Sequence, residues 1–128
     1  MRNFFLKLTI ISLLFSCNQT ANLIFHDINS DELELMIKKE DLTLLDVRTT
    51  AEYSNGHLIS AVNINYYGEN FDDEIDRLDK LKPIVVYCKS GGRSSKSALK
   101  LVEKGFKKIY NLKGGFDQWV FNGKAIQN

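Results

Sequence analysis

The run Ile84-Val85-Val86-Tyr87-Cys88-Lys89-Ser90-Gly91-Gly92-Arg93-Ser94 decides how this chain is read. Its first four residues make an apolar run of buried-strand type, and the cysteine then heads a short glycine-bearing loop. Beyond it, Ala98, Leu101 and Val102 recur at helical spacing, so a helix is expected from near Ser94, with Gly105 placed to end it. Strand, loop and helix N-terminus together aim N–H groups and the positive end of a helix dipole at one anionic atom. A cysteine so placed is expected to have a lowered pKa and to be nucleophilic at neutral pH. Arg93 adds a fixed positive charge and a planar donor fork suited to an anionic substrate.

Working outward, short strands and helices alternate. Leu23 to Phe25 is expected as a first strand, followed by a helix capped at Ser30 with Leu33, Met36 and Ile37 on one face. Leu42 to Val47 reads as a buried strand, Thr50 to Tyr53 as one or two helical turns stopped near Gly56, and Ala61 to Ile64 as another strand. Phe71, Ile75 and Leu78 share a face of an acidic helix that ends before Pro83. Ile109 to Leu112 is the last expected strand; Gly114-Gly115 then turns into a closing helix bearing Phe116, Trp119 and Val120. The alternation predicts one α/β domain, residues 23–128, with a mostly parallel central sheet flanked by helices. A site at the carboxyl end of a strand suits that architecture.

The chain of 128 residues allows one domain and not two. Of 17 basic residues, Arg2 and Lys7 lie in the first 16, leaving 15 against 16 acids, so no nucleic-acid partner is indicated. Residues 1–17 open on a short basic start, Met1-Arg2-Asn3, and continue as an apolar run too short to span a bilayer, which reads as a signal peptide. Its end, Leu14-Phe15-Ser16-Cys17, resembles a bacterial lipobox, with Phe15 bulkier than the residue usual there. On that reading Cys17 is lipidated, residues 18–22 are a tether, and the domain is exported and membrane-anchored in the cell envelope. Cys88 is then the one thiol left in the mature chain.

Four segments, in order, resemble the rhodanese family. These are Leu45-Asp46-Val47-Arg48, then Glu52-Tyr53 with Gly56-His57-Leu58-Ile59, then the Cys88–Ser94 loop, then Gly114-Gly115-Phe116 with Trp119. The resemblance implies a sulfurtransferase. The Cys88 thiolate takes the outer sulfur of a small anionic donor such as thiosulfate, and the persulfide passes it to cyanide, a small thiol or a protein acceptor. Amides from Lys89 to Ser94 would hold the persulfide, Arg93 and Lys89 would attract the donor, and Ser90 and Ser94 would donate to the sulfur or the loop. Gly91 and Gly92 would permit the backbone twist. No metal or organic cofactor is implied. Cys88 to Arg93 is a six-residue loop, whereas related phosphatases and arsenate reductases of this fold carry one residue more. The shorter ring suits one sulfur atom better than a tetrahedral oxyanion.

Other readings of the same residues stay open at this level. The domain could relay sulfur between partners without turnover, or act as a cysteine-dependent phosphatase or arsenate reductase. Lys89 could be a solvated lysine, and Ser94 a helix N-cap. Asp46 and Arg48 are expected near the site edge in a structural role, Arg48 pairing with Asp46 or Glu52. His57 is expected to be structural, since an ionised thiolate needs no base. Phe106, Phe116 and Trp119 are expected in the core, and Tyr66 and Tyr67 near the pocket mouth.

Overall fold

Five parallel strands in the order β1-β6-β5-β2-β4 form the central layer of a computed structural model that describes residues 24–128. The strands are β1 (His26–Ile28), β2 (Thr43–Asp46), β4 (Val62–Asn63), β5 (Ile84–Tyr87) and β6 (Ile109–Leu112). β5 lies at the centre, buried on both faces, which is why it reads as an unbroken apolar run rather than an alternating one. Ile84 and Val86 point to one layer, with Leu45, Ile109, and Phe71 and Ile75 of α3 (Phe71–Asp76) and Ala98 and Leu101 of α4 (Gly92–Glu103). Val85 and Tyr87 point to the other, with Leu33 of α1 (Ser30–Lys39) and Trp119 of α5 (Gly115–Phe121). Each fully buried Leu, Ile or Val here contributes about 1.5–3 kcal/mol.

A small antiparallel ribbon, β3 (His57–Leu58) with β7 (Ile126–Gln127), closes the second face beside α2 (Thr50–Ser54). Neither two-residue strand carries enough pattern to be seen in the sequence. Three boundaries also differ from expectation. The first strand begins at His26, because its register is set by β6, where His26, Asp27 and Ile28 lie opposite Tyr110, Asn111 and Leu112. The N-cap of α1 is Asn29, not Ser30: Asn29 and Glu32 make a reciprocal capping box. The helix after the cysteine loop starts at Gly92, two residues before Ser94. Val120 and Ile37, expected on packed faces, are exposed. Cys17 and the expected signal and tether segments lie outside the described residues.

The parallel arrangement puts the carboxyl ends of β2 and β5 side by side, with Asp46 opposite Tyr87. The Cys88 loop begins at that edge.

Candidate active site

Cys88 follows β5 directly, and its residue is only 1% exposed. The loop folds back so that the Gly91 amide donates to Cys88 Sγ at 3.0 Å. Gly91 makes this turn at φ +127°, a conformation that side chains resist, and it stands at the N-cap of α4. Gly92 is the first residue of that helix, has no positive φ and has open space where a Cβ would sit. The twist expected of both glycines therefore rests on Gly91. Ser94 is not the N-cap; its Oγ lies 3.4 Å from Cys88 Sγ and donates to Gly91 O at 3.2 Å.

Burial pushes the Cys88 thiol up, but the Ser94 hydroxyl and the amides of Ser94, Gly91 and Ser90 together pull it below the ordinary thiol range. The Ser94 hydroxyl has one proton to give. Beside a neutral thiol it donates to Gly91 O and accepts from sulfur; beside a thiolate it must turn towards Sγ.

The two loop cations point elsewhere. Arg93 gives both terminal nitrogens to Glu52, at 2.8 and 3.1 Å, and its guanidinium stands 5.9 Å from the Tyr67 ring centroid. The same Glu52 closes a capping box with Thr49 at the start of α2. Hydrogen bonding to Arg93, opposed by some burial, drops the Glu52 carboxyl to about 2. Lys89 reaches Asp117 of α5 at 2.7 Å. Tyr67 is well exposed, and Tyr66 packs edge-on against Phe71.

Asp46, the last residue of β2, and Arg48 just beyond it are both buried. Arg48 Nη2 meets Asp46 Oδ2 at 2.7 Å and donates to Gly56 O at 2.7 Å, Nε donates to both Asp46 oxygens, and the guanidinium carbon stands 4.1 Å from the Phe116 ring centroid and 5.6 Å from that of Tyr87. The structure thus assigns Asp46, and not Glu52, as the partner of Arg48. His57 stacks on Tyr53 at 3.7 Å, and its Nδ1 lies 2.9 Å from Tyr53 O. Phe106 and Trp119 are core residues, and Phe116 is partly buried against the core. Among the described residues no group of three His, Cys, Asp or Glu side chains is placed to hold a metal ion.

Three residues act on the loop in roles not read from the sequence, which offered Glu52 only as a possible partner of Arg48 and Gly115 only as a turn residue. Glu52 and Asp117 hold its cations. Gly115 lies so close that a Cβ would sit 2.5 Å from Cys88 O and 2.7 Å from Lys89 O. That approach lets the first turn of α5 grip the loop: Phe116 N–H donates to Cys88 O at 2.9 Å and Asp117 N–H to Lys89 O at 3.0 Å. The doubled glycine was the available signal for Gly115. Nothing in the sequence pairs residues 52 and 93.

Comparison with known proteins agrees with this fold. The rhodanese-like domain family matches residues 29–122. A relative from Coxiella burnetii, thiosulfate sulfurtransferase GlpE, is 37% identical over 84 residues, 66% of this chain and 77% of that protein. The protein of that name from Actinobacillus pleuropneumoniae is 33% identical over 103 residues, 80% and 94% of the two chains. A crystal structure of a rhodanese-related protein from Thermoplasma volcanium superposes with a TM-score of 0.72 at 27% identity, covering 80% of this chain and 98% of that one. The rhodanese-like domain of an Anabaena protein gives 0.73 at 25% identity, covering 82% and 80%. With the family matched along most of its length, and relatives that nearly span it, this chain belongs to the rhodanese-like domain family.

Proposed function

We propose that the protein is a sulfurtransferase that carries sulfane sulfur on Cys88. The observation that bears most weight is the cradle itself: Sγ under the Gly91 amide at 3.0 Å, at the N-terminus of α4, with Ser94 beside it. In the first half-reaction the Cys88 thiolate attacks the outer sulfur of thiosulfate. The S–S bond of the donor breaks, sulfite leaves with the electron pair, and a persulfide anion stays on Cys88. In the second, cyanide or a thiolate attacks the outer persulfide sulfur and the Cys88 thiolate returns. Neither half needs a general acid, because both leaving groups depart as stable anions. The loop amides would stabilise the anionic sulfur of either state. The relatives named thiosulfate sulfurtransferase support the choice of donor.

The domain treated with thiosulfate is expected to gain the mass of one sulfur atom and to lose it to cyanide, with Cys88→Ser gaining none. Equal uptake by the serine variant would remove Cys88 from the mechanism. We further propose that Cys17 carries a lipid anchor in the cell envelope, supported by its place after the apolar run and the small Ser16. Expression in a bacterial host with a labelled fatty acid tests this: the label and the membrane fraction should both depend on Cys17.

A further inference from the structure

Both cations in the cysteine loop are already engaged by carboxylates anchored to the backbone. Glu52 is fixed by its capping box with Thr49 and takes Arg93 in a two-point contact. Asp117 is fixed to the loop through its own N–H, bonded to Lys89 O, while its side chain takes Lys89 Nζ. The Lys89 pair is exposed and contributes little contact energy. Its charge nevertheless stays beside the loop however the side chains move, since the backbone bond holds it there. Two positive charges are thus offset by two negative ones next to an anionic nucleophile. A doubly charged donor gains less from such a mouth than the loop sequence alone suggests, and a singly charged donor loses less on approaching the thiolate.

We propose that Glu52 and Asp117 are specificity-determining residues: by offsetting Arg93 and Lys89 they shift the site from dianionic thiosulfate towards singly charged sulfane-sulfur donors of the thiosulfonate class. The proposal rests on the sulfur-transfer reading and deepens it. With a thiosulfonate, Cys88 Sγ attacks the terminal sulfur, the bond between that sulfur and the sulfonyl sulfur breaks, and a sulfinate leaves with the electron pair. No proton moves, and the same Cys88 persulfide anion results. Lys113, which shares a groove with Ser90, is a further cation on that side and is common to every variant compared.

The test measures bimolecular rates of Cys88 persulfide formation, by mass, with thiosulfate and with benzenethiosulfonate. The proteins are the unaltered chain, Asp117→Asn, Glu52→Gln and the double variant. Gln at 52 keeps the shape and the capping acceptor; Asn at 117 lies on an exposed helix face and keeps the test standing if α2 loosens in the other. At low ionic strength each single change should speed thiosulfate about two- to threefold and benzenethiosulfonate about 1.5-fold, the double variant compounding both, and salt should erase the difference. Equal changes for the two donors, or an unaltered donor ratio in Asp117→Asn, would overturn the proposal while leaving sulfur transfer intact. Absence of persulfide with both donors would remove the sulfur-transfer reading, and this inference with it.

Discussion

At the scale of single residues, the sulfur of Cys88 shows how a buried group can favour its charged form. Desolvation acts against the thiolate, and three amides with one hydroxyl outweigh it. Ser94→Ala removes the hydroxyl while leaving the α4 N-cap at Gly91 untouched. It should raise the pH at which Cys88 becomes reactive and slow alkylation at pH 7 by up to about tenfold, read from rate-against-pH profiles with iodoacetamide. The Asp46–Arg48 pair presents the opposite case, a charge that only its partner makes tolerable. Asp46→Asn should cost about 3–5 kcal/mol, because it strands a guanidinium that is 3% exposed; urea unfolding measures it. The cysteine, its loop and the arginine of the buried pair were all visible in the sequence. The partners of the two loop cations were not, since ion pairs across 41 and 28 residues leave no local pattern.

At the scale of elements, the loop is held between the strand before it, the helix after it and the first turn of α5. Strands of four apolar residues and helices with a clear apolar stripe were legible, because burial on both faces or on one face writes itself into composition. The ribbon of β3 and β7 was not, since two-residue strands are defined by their partner. The α5 contact depends on Gly115 in a way that composition cannot reveal: at φ +56° and against two carbonyls, no side chain fits. Gly115→Ala should destabilise the fold by about 1–3 kcal/mol from backbone strain alone, and should also slow persulfide formation by displacing Cys88 O and Lys89 O. A variant with unaltered kinetics would show that α5 does not shape the loop.

At the scale of the whole molecule, the Glu52–Arg93 pair ties α2 to α4 across the mouth of the site, and this gives the fold an acid limb. The Glu52 carboxyl is depressed from 4.5 to about 2 in the folded state. A depressed carboxylate adds stability that is fully present above its unfolded value and is lost as pH falls through the folded one. Stability should therefore decline between about pH 4.5 and 2, and Glu52→Gln should flatten that part of the curve of urea midpoint against pH. An unchanged curve would place the acid sensitivity elsewhere. The fold class was legible throughout because alternation of short strands and helices is a whole-chain signal, while the docking of α5 onto the cysteine loop is a single close approach. That docking has a consequence in time. A chain emerging from its N-terminus presents Cys88 well before residues 115–117, so the carbonyls of Cys88 and Lys89 wait for their donors. The loop reaches its final shape only when the last helix arrives, and the nucleophile matures at the end of folding. A chain caught half-emerged holds a cysteine but not yet the completed cradle.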